Sequence, residues 1–298
     1  MFHVFNQKPL HLGATKINSY ICDVKQKPFI MKHLILLFTL FTTGFIQAIG
    51  QELIDSINLR VTYSASYKTE QEQKIKDDVQ VLEIGNKISK YYSRYDYIYR
   101  HINDSLKKEG LDAIEISIRM HNKVGLKGGD NYQVFKNYPE KGELTYTYII
   151  FNFPYLYEED MPAMKWDLVE GDTIIGGYAC KKAVCELRGR KWTAWYSLDL
   201  PYDDGPWKLC GLPGLILDAA ESEGIFSFKF AGIERCNDPM IFANKKKYER
   251  CTPKQLQDEF REYCKTGSVW AIRKATGLTV PKGKVEGTFT PCQMEFYE

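Results

Sequence analysis

Residues 165–201 read KWDLVEGDTIIGGYACKKAVCELRGRKWTAWYSLDLP. Apolar and polar residues alternate through short runs, with turn residues at EGD and at RGR. A period of two broken by glycine-bearing turns is the signature of neighbouring antiparallel strands. The stretch therefore predicts at least three strands and a sheet-dominated fold.

The same period recurs outward on both sides. It is present in INLRVTYSASY (57–67), in VQVLEIGNKISKYYS (79–93, on either side of Gly85) and in GIFSFKFAGIE (224–234). In the last, Phe226, Phe228 and Phe230 share one face, and Ile225, Ser227 and Lys229 the other. YQVFKNY and ELTYTYIIFNFPYLYEED predict a hairpin closed at residues 139–142. Two segments depart from this pattern. Ile98, Ile102 and Leu106 recur every four residues before Gly110, and Thr252 and Pro253 open a run whose Leu256, Phe260 and Cys264 share a helical face. The expected fold is mainly β (α+β), a curved antiparallel sheet or half-barrel carrying two short helices, with one plausible strand near the end of the chain.

MKHLILLFTLFTTGFIQAIG, residues 31–50, has the basic start, apolar core and small-residue end of a secretory signal peptide. Its apolar run is short for a membrane span. Residues 1–30 are polar and unpatterned and read as a start assigned too far upstream, which leaves 51–298 as a single domain. Periplasmic or secreted location follows, with no transmembrane span after cleavage. The full chain carries 40 Lys and Arg against 38 Asp and Glu; from residue 51 the balance is 35 to 37. A chain so nearly neutral offers no basic face for nucleic acid.

Seven cysteines follow residue 50, and in an oxidising compartment disulfides are the expectation. Cys236, Cys251 and Cys264 lie close enough in sequence for a local staple. Cys180 and Cys185, five positions apart on a strand, would face opposite ways, so no metal site is assigned. Only His101 and His121 remain after the leader. There is no G-x-S-x-G, H-E-x-x-H, phosphate-binding glycine loop or acidic calcium loop. No catalytic residue and no cofactor is assigned, and the acids at 158–160 and 203–204 read as solvated loop residues. Aromatic density is high, with 16 Phe, 20 Tyr and 5 Trp. Tyr91, Tyr95, Tyr97 and Tyr99 share one strand parity, which favours cross-strand packing.

The quoted strands run on through YDD into GPWKLCGLPGLILDA (205–219). This Cys-Lys-Lys-Ala strand, Gly-Arg turn, Trp-Tyr strand and Gly-Pro-Trp lead resemble the GLPGLI family of exported Bacteroidetes proteins. The naming hexapeptide stands here as Gly211, Leu212, Pro213, Gly214, Leu215 and Ile216. The resemblance implies export and a strand-rich layout, similar by analogy to the half-barrel of periplasmic lipoprotein carriers, and it brings no catalytic residue.

Residue by residue, Leu212-Pro213-Gly214-Leu215 suits a type II turn with Gly214 at positive φ, after which Leu215 to Leu217 enter a strand buried on both sides. Trp192, Trp195, Tyr196 and Trp207 are the candidate ligand-binding wall. The expected function is a non-enzymatic binding or carrier module for an apolar ligand, a peptide or an envelope protein. A thiol-redox or hydrolytic envelope enzyme is the alternative.

Overall fold

The computed structural model describes residues 51–68, 75–112, 115–116, 118–119, 129–243, 245–278 and 294–297. The upstream segment, the signal peptide, His121, Cys292 and the terminal strand expected from sequence lie outside them. The described residues belong to a compact unit, Glu52–Glu298, apart from Gln51, where the first strand begins.

The strands are β1 (Gln51–Lys68), β2 (Ile75–Gly85), β3 (Ser89–Ser93), β4 (Tyr132–Lys136), β5 (Glu143–Ile150), β6 (Phe153–Asp160), β7 (Asp167–Ile175), β8 (Tyr178–Leu187), β9 (Arg190–Ser197), β10 (Leu215–Glu221), β11 (Phe226–Ala243) and β12 (Glu249–Arg250). They form one open, curved sheet in the order β12-β6-β5-β4-β3-β2-β1-β11-β10-β9-β8-β7. Two meanders, β2 to β6 and β7 to β11, thus flank β1, and the β1–β11 seam joins them. The mainly β architecture expected from the alternating runs is the one observed.

Local departures have local causes. The run 79–93 divides into two strands at Gly85, where an added Cβ would lie 2.5 Å from Asp55 Oδ2; that carboxylate accepts hydrogen bonds from Lys87 N and Ile88 N and fixes the turn. Helix α1 (Arg94–Lys108) starts directly after β3, capped by Ser93 Oγ accepting from Asp96 N at 3.2 Å. The shared strand parity of Tyr95, Tyr97 and Tyr99 with Tyr91 is therefore void, because those three lie on the helix. EGD proves to be a register shift inside β7, and the chain reverses at Gly176 and Gly177 instead, both at positive φ.

Helix α2 (Pro253–Thr266) has the expected cap, with Thr252 and Gln255 forming a reciprocal capping box. A further helix, α3 (Ser268–Thr276), was not foreseen. Its Trp270 is buried with Ile150, Tyr155, Tyr157 and Leu256, so tertiary packing rather than periodicity defines it. No described helix is long and apolar enough to cross a membrane.

The hexapeptide is corrected in detail. Gly214 lacks the positive φ of a type II turn; that conformation falls on Gly211, at +87°, and on Trp207, at +53°. Gly214 is glycine for contact, since a Cβ there would lie 2.0 Å from the Ser197 carbonyl oxygen. Leu215, Ile216 and Leu217 are fully buried, as expected for a strand covered on both sides. A register shift between Ile216 and Asp218 interrupts the β9 ladder, and Tyr63 Oη donates to the Ile216 carbonyl there at 2.7 Å.

The expected cysteine staple does not form. Cys236, Cys251 and Cys264 are all free thiols, held on β11, before α2 and inside α2 respectively. Each packs in a separate setting: Cys236 beside the Ile57/Phe242 cluster, Cys251 beside the Tyr155/Trp270 cluster with its thiol toward the Leu156 carbonyl, and Cys264 buried in α2.

Candidate functional site

Strand register sets one face of the sheet as a wall of rings. Tyr63 and Tyr67 of β1, Gln80 and Leu82 of β2, Tyr91 of β3, Tyr132 and Val134 of β4, Tyr146 and Tyr148 of β5 and Tyr157 of β6 all point to this side, because paired residues share a face. Four tyrosines stack in succession across β3 to β6. Centroid distances are 6.4 Å from Tyr91 to Tyr132, 5.7 Å from Tyr132 to Tyr146 and 4.9 Å from Tyr146 to Tyr157.

Two segments cross this face. The loop 198–214 is pinned by Lys136, fully buried, whose Nζ reaches Asp204 and the carbonyls of Gly205 and Leu209. The same loop buries Lys208 Nζ among Glu159, Glu295, Tyr157 and Tyr297. Residues 294–297 dock beside it: Gln257 Nε2 donates to the Glu295 carbonyl at 3.0 Å, and Arg188 pairs with both Glu159 and Glu295. The acids read as solvated loop residues are thus corrected at Glu159 and Asp204. Each is drawn in by a buried lysine that sequence spacing does not link to it. For Glu159, burial alone would raise the pKa, but Lys208 and Arg188 outweigh it and hold the carboxyl below its ordinary value.

Between the sheet, the loop and α2 lies a cavity of about 360 Å³. Its apolar lining is Trp207, Phe226, Phe228, Leu256, Phe260 and the tyrosine rings; Lys68 and Lys76 are exposed at its margin. α2 closes one side, with the Phe260 ring edge-on to Tyr148 at 5.3 Å.

The polar end of the cavity is built on Asp130, just ahead of β4. Its Oδ1 accepts from Tyr67 Oη at 2.8 Å and its Oδ2 from Gln80 Nε2 at 3.3 Å. Behind it, fully buried Asp78 accepts from Ser93 Oγ, from Gln80 Nε2 and from Asp130 N. Gln80 Oε1 in turn accepts from Tyr91 and Tyr132, so its amide is used at both ends. Burial, and next the neighbouring Asp78 charge, push the Asp130 carboxyl up to about 7. The Asp78 carboxyl is also raised, by burial.

The four aromatic residues singled out from sequence do not share one surface. Trp192 and Tyr196 are buried in the core, Trp192 stacking on Phe228 at 6.0 Å and packing against Trp207 at 5.7 Å. Trp195 lies on the opposite face of β9, where Lys182 Nζ sits 5.7 Å from its ring. Trp207 alone of the four borders the cavity. Sequence reasoning missed Asp78, Gln80, Asp130, Tyr132, Tyr146 and Tyr148. The alternation in ELTYTYII already places Tyr146 and Tyr148 on one face, but nothing local joins Asp78 to Asp130. Among the described residues, burial works against a reactive thiolate at each cysteine. Burial raises Cys185 and Cys264 to about 12 and Cys210 and Cys251 to about 11, the reverse of what a nucleophilic thiolate needs.

A family model described as a protein of unknown function (Porph_ging) matches residues 186–218, from the end of β8 through the loop into β10. No curated protein is similar to the chain in sequence. Among solved structures, PNGF-II in two crystal forms is 14% identical, with a TM-score of 0.44 over 68% of this chain and 32% of that one. The chain thus spans about a third of the length of PNGF-II. The LolA superfamily protein NE2245 from Nitrosomonas europaea is 7% identical, with a TM-score of 0.25 over 62% of this chain and 88% of its own.

Proposed function

We propose that the protein is an exported, non-enzymatic binding or carrier module of the GLPGLI type, working in the periplasm or outside the cell, and that it holds an apolar or amphiphilic ligand between its sheet and α2. One observation carries this reading: a cavity of about 360 Å³ walled by aromatic rings, with a small polar end at Asp130. Ligand pockets fall in the range of roughly 300–1,000 Å³ and combine an apolar lining with few polar groups. The signal-peptide layout of residues 31–50 supports export.

The test is native mass spectrometry of the chain beginning at Gln51, purified from the periplasm without denaturation, followed by titration with the fluorescent apolar probe N-phenyl-1-naphthylamine. A retained apolar species or one probe molecule bound per chain is expected, with affinity falling about tenfold in Phe260→Ser, a loss of about 1.4 kcal/mol. An empty protein that also ignores the probe overturns the reading.

A further inference from the structure

Of the five fully buried carboxylates among the described residues, four contact a Lys or Arg and Asp78 does not. Glu83 contacts Arg60, Asp96 contacts Arg100, Glu221 contacts Arg190, and Glu295 contacts Lys208 and Arg188. The half-buried Glu159 and Asp204 have Lys208 and Lys136. Asp78 and Asp130 sit together, the backbone N–H of Asp130 donating to Asp78 Oδ2 at 3.1 Å, and neither has a Lys or Arg within ion-pair distance among the described residues. Buried charge without a counter-charge is costly, so a site built this way favours a cation supplied from outside.

The rings beside Asp130 suit the same guest. A cation gains from the face of a tyrosine or tryptophan ring within about 6 Å. The chain uses this wall for a cation of its own, since Lys208 Nζ lies 5.2 Å from the centroids of both Tyr146 and Tyr157 and 5.7 Å from that of Trp207. At the Asp130 end, Tyr148 lines the cavity with no such occupant among the described residues.

We propose that the cavity selects a cationic amphiphile: an ammonium head docks on the Asp130 carboxylate beside the ring of Tyr148, and an aliphatic tail runs along Trp207, Phe226, Phe228 and Phe260. This rests on the cavity being a binding site and goes further by fixing the charge of its ligand. An anionic head would meet Asp130 and Asp78 at once. The other charged or titratable groups around Asp130 among the described residues are Tyr67 on β1, Lys76 on β2, Tyr91 on β3, Tyr132 on β4, Tyr146 and Tyr148 on β5 and the Asp96–Arg100 pair on α1. Lys76 is exposed at the margin and makes no ion pair with Asp130.

Calorimetric titration of the folded chain with dodecylamine, dodecanol and dodecanoate, below their micellar concentrations and at pH 5.5 and 8, tests this. At pH 8 the amine is expected to bind at least tenfold tighter than the alcohol, and dodecanoate weakest. At pH 5.5 that preference shrinks, because Asp130 takes up a proton while an alkylamine stays charged. Asp130→Asn should bring the amine down to the affinity that the same variant shows for the alcohol. Should that variant not fold, proton release by the wild type on binding the amine at pH 7, read from the buffer dependence of the heat, serves in its place. Equal affinity for amine and alcohol, a preference for dodecanoate, or no proton released overturns the inference while the binding reading stands. Failure of all three ligands to bind overturns both.

Discussion

Replacing Gly214 by alanine places a Cβ 2.0 Å from the Ser197 carbonyl oxygen and 2.6 Å from its carbon, both backbone atoms that cannot rotate away. Reaching ordinary contact at about 3.4 Å requires the start of β10 and the end of β9 to part by more than an ångström. Those segments are joined where Leu215 faces Ser197 and where Leu215 N donates to the Leu200 carbonyl at 2.9 Å. Losing one or two buried hydrogen bonds at about 1 kcal/mol each and repacking fully buried Leu215 to Leu217 gives a loss of about 3–5 kcal/mol. Gly211→Ala is the control. There the cost is left-handed strain of about 1–2 kcal/mol, with the nearest obstacle, Trp166 Nε1, at a comfortable 3.9 Å. Urea unfolding of both variants should show the larger midpoint shift in Gly214→Ala, by a factor of two or more. An equal or smaller shift would refute the assignment of Gly214 to close backbone approach.

Other consequences follow from the buried charges and caps. Because the Asp130 carboxyl is raised from 3.8 to about 7 in the folded protein, its ionisation opposes folding increasingly as pH climbs between those values. Asp130→Asn should therefore gain on the wild type between pH 4 and 8, by up to about 4 kcal/mol in denaturant unfolding at about 1.4 kcal/mol per pH unit; a pH-independent difference would contradict this. Lys208→Met leaves Glu159 and Glu295 to share Arg188 and should cost about 3–5 kcal/mol near neutral pH. Glu159, depressed in the folded state, contributes stability above its ordinary pKa that is lost as pH falls through the lower folded value, so the variant's deficit should narrow in acid titrations followed by circular dichroism. Thr252→Ala removes the reciprocal cap of α2 and should cost about 1 kcal/mol, with Thr252→Ser restoring most of it in thermal unfolding.

The sheet was legible because strand periodicity is local: Tyr146 and Tyr148, or Phe226 and Phe228, declare their face within a few residues. Helix α2 was legible for the same reason, since Thr252, Pro253 and Gln255 supply its start within one turn. The candidate site was not. Asp78 and Asp130 meet only because β2, β3 and β4 are consecutive in the sheet, and Lys208 reaches Glu295 across 87 residues. Gly214 misled because proline followed by glycine is the ordinary mark of a turn, whereas here a carbonyl from another strand sets the requirement. The tryptophans of β9 stood out by size. Three steps along the strand pleat then decide that Trp192 is core and Trp195 lies on the far face.

The seam between β1 and β11 also has a kinetic meaning. Nearly every other strand pair in the sheet is formed by neighbours in sequence, whereas at this seam Ser66 meets Ser227 across 161 residues, and Tyr63 reaches past it to Ile216 of β10 across 153. Loop closure over such a span is paid for before the contacts return anything, so each meander can assemble early and their union comes late. Substitutions at Tyr63 or Ser66 would then chiefly accelerate unfolding, and the partly folded chain would spend its longest interval with two unpaired strand edges, the state most open to capture by a chaperone or by another copy of itself.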